Sequence, residues 1–171
     1  MSNHFVILSI STRLRPCSKD NGNLTIAAMT EEDCVDATKL IMALFFKIKP
    51  LSLDFLAKDR LMAEQSERVY GGLSNGVTES EDRLLVVARV AGRLVGVAEV
   101  SLPGGRRFGA ENVEPVAPND APYVSDVAVS PNQRKRGIGK ALLRACEAAM
   151  VSQGRALLLL HRSTTFSSAQ P

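Results

Sequence analysis

The 171 residues include no tryptophan, two tyrosines, six phenylalanines, two histidines and three cysteines. Each shortage narrows what the chain does. So few aromatics, none interleaved with basic residues, make no stacking platform for nucleic-acid bases. Cys17, Cys34 and Cys146 are odd in number and widely spaced. They form neither a disulfide framework nor a zinc site, they fit a reducing compartment, and no metal is expected. The apolar runs at 84–88 and 157–160 are strand-sized, far short of the roughly 20 residues that a membrane-spanning helix needs. Fixed-period repeats are absent too. Against these absences stands an ordinary globular composition, 45% apolar and 23% charged, of a length that suits one domain.

The net charge of +3 is unevenly spread. Residues 1–22 carry +2, residues 23–130 carry −5, and residues 131–171 carry +6 with Glu147 as their one acid. A basic end after an acidic body points to a local anion site. The first 22 residues are rich in Ser, Thr and Arg, with no acid before Asp20. That composition resembles a transit peptide for a plastid or mitochondrion. A flexible arm, or a strand over residues 5–10, is the other reading, and the protein is then cytoplasmic.

Patterning predicts the rest. Residues 24–28 read as a strand. Thr30 and Asp33 have capping-box spacing. Ala37, Leu40, Ile41, Leu44, Phe45 and Ile48 follow at helical period and Pro50 closes that helix. A second helix is expected over 51–69, ended by Gly71-Gly72, with a polar loop over 73–82. Residues 83–90 and 93–102 form a hairpin across Ala91-Gly92. Four prolines and three glycines make 103–122 a long connector. A strand over 123–129, a helix from Gly137 capped at Gly154, and an apolar strand over 156–161 complete the order. The fold class is α/β of the α+β type, a mixed sheet with a parallel strand–helix–strand unit at 123–161.

The chemistry concentrates between strand and helix, in Val127-Ala128-Val129 and then Gln133-Arg134-Lys135-Arg136-Gly137-Ile138-Gly139-Lys140. First-turn amides of a helix lack internal partners and, with the dipole, attract anions. Gly137 and Gly139 let backbone approach a phosphate closely. Arg134, Lys135, Arg136 and Lys140 add charge. A Walker loop fails on spacing, and a dinucleotide fingerprint fails because its third glycine position holds Leu142.

This stretch resembles the acetyl-CoA motif of the GNAT superfamily of N-acetyltransferases: Arg134-x-x-Gly137-x-Gly139 after Gln133, with Val127-Ala128-Val129 upstream. The likeness covers about residues 23–161 in the family's element order, a mainly antiparallel sheet flanked by helices, with 162–171 as a disordered tail. It implies acetyl-CoA as cosubstrate and an amine acceptor: a protein N-terminus, a lysine or a small amine. Backbone groups of Val127 and Val129 would pair with the pantetheine amides, and an amide near Val127 would polarise the thioester carbonyl. Amides of residues 134–139, Ile138 among them, would hold the pyrophosphate. The free amine would attack the thioester directly, helped by a base or water chain.

Asp126 and Glu99 are the candidate bases, and Ser125 would order water. Regular alternation puts Ser125 and Asp126 on opposite faces. Tyr123 and Cys146 are expected to pack, and His161 is a lone histidine ending a strand. The family continues with a further helix, bearing a tyrosine, and two more strands. No such pattern precedes Pro171, and no tyrosine follows Tyr123. The strand over 156–161 would then expose an edge open to self-association. The other reading is therefore a catalytically impaired CoA-binding relative. Nucleic acid and membrane are not expected partners.

Overall fold

The computed structural model describes residues 10–12, 23–46, 55–78, 82–102, 122–152 and 159–160. The chain runs β1 (Ile10–Thr12), β2 (Leu24–Ala28), α1 (Cys34–Phe45), α2 (Phe55–Thr78), β3 (Arg83–Val90), β4 (Arg93–Ser101), β5 (Tyr123–Val129), α3 (Ile138–Ser152) and β6 (Leu159–Leu160). The strands lie in one sheet in chain order. Neighbours are antiparallel from β1 to β5, and β5 pairs with β6 in parallel. The expected mixed, mainly antiparallel sheet with its parallel unit around α3 is what forms. β1 falls inside residues 1–22 and pairs Ile10 with Ile26 and Thr12 with Leu24.

β3 explains why both faces of the sheet are covered. Its six residues from Leu84 to Arg89 are apolar but for the last, and alternation sends them two ways. Leu84, Val86 and Ala88 pack with Ile138, Leu142, Ala145 and Cys146 of α3. Leu85 and Val87 pack with Cys34, Ala37 and Ile41 of α1 and Leu73 of α2. The β3–β4 hairpin turns on Ala91 and Gly92, both left-handed at φ of +50° and +78°, as a two-residue primed turn requires. α1 starts at the expected box: the Thr30 amide donates to Asp33 Oδ2 at 2.9 Å. Asp33 also accepts from Arg89 at 2.5 Å, which ties the start of α1 to β3.

The second helix departs from expectation. Gly71-Gly72 does not end it, and 73–78 is helix rather than loop. Each helical glycine costs about 1 kcal/mol relative to alanine. Here burial of Leu73, 5% exposed in the α1–α2 core, outweighs that cost, and the Gly72 carbonyl accepts a bond from Arg83 at 2.8 Å. A Cβ added at Gly71 would meet nothing within 4 Å. Gly71→Ala is therefore expected to stabilise the protein by about 0.5–1 kcal/mol, raising the thermal midpoint by a few degrees. An unchanged or lower midpoint would show that α2 is not helical there.

Pro50, Ile48, residues 51–54, Gly154, His161, the connector at 103–121 and the tail at 162–171 lie outside the described residues. So does the strand expected over 156–161, apart from Leu159 and Leu160.

Candidate active site

The site begins with a defect in the sheet. β4 and β5 pair Gly96 with Val129 and Val97 with Ala128, then Glu99 with Ser125. Ala98 thus faces two residues, Asp126 and Val127, which is a β-bulge. Asp126 occupies the left-handed region at φ +50°, a strained backbone for an aspartate outside a turn. Val124 and Val127 both pack towards α3 although three residues apart. The bulge has shifted the alternation by one.

That shift corrects the expectation of opposite faces for Ser125 and Asp126. Register partners share a face, so Ser125 belongs with Glu99. Asp126 and Glu99 line one cleft of about 590 Å³ between the sheet and helices α1 and α2. Ser125 Oγ is buried without a hydrogen-bond partner.

Glu99 is 2% exposed and already engaged. Arg83 Nε donates to its Oε1 at 2.7 Å and Arg83 Nη2 to its Oε2 at 2.6 Å. A bidentate pair of this kind fixes both oxygens. Arg83 Nη1 reaches Gly72 on α2, so one guanidinium ties β3, β4 and α2 together. Arg83 is the residue that sequence reasoning missed. Its signal was a charge at the head of a strand whose next five residues are apolar.

Asp126 differs from Glu99 in every respect that matters for proton transfer. No hydrogen bond from a cation neutralises it among the described residues. Burial and then the neighbouring Glu99 charge push its carboxyl up to about 6, against a smaller opposing pull from Arg83. A carboxyl in that range is mostly ionised at pH 7 yet far more basic than an ordinary aspartate, which suits a general base. Cys146, by contrast, is fully buried and its thiol is pushed up to about 12 by burial. Tyr123 is also buried.

The basic turn follows at the other end of β5. Pro131–Gln133 forms a single 3-10 turn. Lys135 and Gly137 then adopt φ of +61° and +88°. Alternation of left- and right-handed residues turns successive amides inward as an anion-binding nest. α3 opens at once behind it, its first bond running from the Ala141 amide to the Gly137 carbonyl at 3.0 Å. Gly137 is exposed, with only open space where a Cβ would stand. Gly139 lies against Val129. Arg134 donates from Nε to the Val129 carbonyl at 3.1 Å, stapling the turn to β5. Arg136 is turned inward, 6% exposed and bonded to Gln133. Arg134, Lys135 and Lys140 remain exposed.

Between the two ends, the described β5–β6 pairing stops at Val124. From Ser125 to Val129 the β5 edge away from β4 has no pairing strand among the described residues, and this edge runs from Asp126 towards the nest. A phosphate at the nest and an extended arm along this edge fit the arrangement. Among the described residues no cluster of metal-ligating side chains occurs, and no helix is long and apolar enough to cross a membrane.

Comparison with known proteins places this architecture. Residues 47–169 match the model of the acetyltransferase (GNAT) family, and the chain belongs to that family. It is accordingly an acyltransferase of the N-acetyltransferase type, a family whose cosubstrate is acetyl-CoA. A search of curated sequences finds no match. Solved structures share the fold. An aminoglycoside acetyltransferase from an uncultured soil sample is 19% identical with a TM-score of 0.54, over 84% of this chain and 80% of that one. A predicted acetyltransferase of Clostridium acetobutylicum, solved with acetyl-CoA, is 11% identical with a TM-score of 0.56, over 82% of each chain. A ribosomal-protein-alanine N-acetyltransferase of Brucella melitensis biovar Abortus is 18% identical with a TM-score of 0.55, over 84% and 82%.

Proposed function

We propose that this chain moves an acetyl group from acetyl-CoA to an amine, with Asp126 as the general base. The observation that carries the reading is the bulge at Asp126. It aims a carboxyl with a near-neutral pKa into a cleft, on the strand that leads into the nest.

When bound, acetyl-CoA supplies an acyl thioester that an amine can attack. This chain's residues do the remainder. Amides of residues 134–139 hold the phosphates. The exposed Arg134, Lys135 and Lys140 add charge, while Arg136 contributes through its backbone. Backbone groups of Val127, Ala128 and Val129 orient the arm, and an amide near Val127 donates to the carbonyl oxygen as negative charge develops there. Asp126 accepts a proton from the ammonium form of the acceptor, directly or through a water ordered by Ser125 Oγ, so that the neutral amine attacks the thioester carbon. The C–S bond breaks as the C–N bond forms, and the second amine proton passes to the departing CoA thiolate, which leaves as the thiol. Glu99 and Arg83 act on Asp126 from beside it and are positioning residues.

The test is thermal unfolding with acetyl-CoA or ATP, followed by thiol release on adding an amine. At a hundredfold excess over Kd, binding stabilises by about 2.7 kcal/mol, a shift of several degrees. The expected outcome is a shift with acetyl-CoA alone and amine-dependent thiol release. A shift without release for any amine would favour the catalytically impaired CoA-binding relative. An unmoved midpoint would sink the cofactor assignment.

A further inference from the structure

The acceptor cleft carries its own signature of charge and shape. Ile41 and Phe45 from α1, Phe46 just after it, and Val69 and Leu73 from α2 form its apolar wall, and Gln65 and Asn75 of α2 add two amides. Its charged lining among the described residues is three carboxylates and two guanidiniums: Glu67, Glu99 and Asp126 against Arg68 and Arg83. Glu99 is consumed by its bidentate bond to Arg83. What remains facing a ligand deep in the cleft is Asp126, while Glu67 and Arg68 are exposed neighbours of opposite sign.

We infer that the acceptor is a monoamine with an apolar, ring-sized body, and that Phe45 helps select it. The inference rests on the proposed amine acetylation at this cleft. A single ammonium finds one carboxylate partner in Asp126, and that partner is also the group that takes its proton. An apolar body covers Phe45, Phe46 and Val69. A polyamine or an aminosugar carries several ammonium or hydroxyl groups, and beyond Asp126 only the amides of Gln65 and Asn75 and the exposed Glu67 stand among the described lining to accept from them. The cleft's volume, about 590 Å³, is ample for a phenyl ring on a short chain. Phe45 is 44% exposed at the mouth, so its replacement spares the core.

The experiment compares kcat/KM for phenethylamine and hexylamine with that for ethanolamine, spermidine and kanamycin. At least about a tenfold preference for the first two is expected, since one buried methylene is already worth roughly tenfold. Phe45→Ala is expected to raise KM for phenethylamine several-fold with kcat retained, and Phe45→Glu to shift preference towards spermidine. Equal or better use of spermidine or kanamycin by the wild type overturns the inference while leaving amine acetylation standing. An unmoved phenethylamine KM in Phe45→Ala overturns the role of Phe45. Absence of transfer to every amine, with the acetyl-CoA thermal shift intact, overturns the inference together with the function it rests on.

Discussion

Asp126→Asn is expected to lower kcat/KM for acetyl transfer by about 10²–10⁴-fold, the usual worth of a general base, and at the same time to raise stability at pH 7. The two effects share one cause. Asp126 is half-buried beside Glu99, and its carboxyl is raised from an ordinary 3.8 to about 6. The folded state therefore holds the proton more tightly than the unfolded chain. The stability this group contributes is full below pH 4 and is lost as pH rises through 6. By pH 7 the ionised carboxylate costs about 3 kcal/mol at most. Asparagine keeps the shape and escapes that cost. The variant's thermal midpoint should exceed the wild type's at pH 7, and the difference should shrink towards pH 4. A folded variant that keeps its activity would remove Asp126 from the mechanism, and a variant less stable than the wild type at pH 7 would contradict the burial cost assigned to its carboxylate.

Gly137→Glu is expected to weaken acetyl-CoA binding at least a hundredfold. The residue sits at φ +88°, which costs a non-glycine residue about 1–2 kcal/mol. Its Cβ would enter open space rather than the core, so the fold should survive with a midpoint a few degrees lower. The new carboxylate lies where the nest and the α3 amides would hold a phosphate. Charge-assisted bonds of this kind contribute about 1.5–3 kcal/mol each, so losing two exceeds the roughly 2.7 kcal/mol that corresponds to a hundredfold. Titration of acetyl-CoA against a folded Gly137→Glu chain checks it. Wild-type affinity there would place the phosphates elsewhere.

Parts of this architecture are legible from neighbouring residues alone. The β3–β4 hairpin is announced by two apolar runs around Ala91-Gly92, and the local turn chemistry is sufficient to specify it. The capping box at Thr30 and Asp33 is likewise local. So is the turn from β5 into α3, where Gly137 does take a positive φ.

What sequence patterning misses is set by distant partners. Two adjacent glycines signal a helix end, but α2 runs on because Leu73 is buried against α1 and β3 and Arg83 bonds Gly72. Strand alternation is a rule for regular strands, and Asp126 leaves it only because β5 carries one residue more than β4 opposite Ala98. Glu99 and Asp126 look alike in sequence as acids in apolar strands. They diverge because the guanidinium of Arg83 engages Glu99 with two of its nitrogens. The composition of α1 and α2 does not announce the acceptor cleft, because its wall is assembled from two helices and the sheet.

The most direct test of the account is the pH dependence of kcat/KM in the wild type and in Glu99→Gln. The wild type should show an inflection near pH 6 as protons fill Asp126, several pH units below the amine's own titration. Removing the Glu99 charge takes away a neighbour that raises the Asp126 carboxyl and leaves Arg83, which lowers it. The inflection should therefore move to lower pH, with activity retained at pH 7. Loss of activity in a folded Glu99→Gln chain would make Glu99 itself the base, and an inflection that stays in place would contradict the coupling through which Glu99 is held to act.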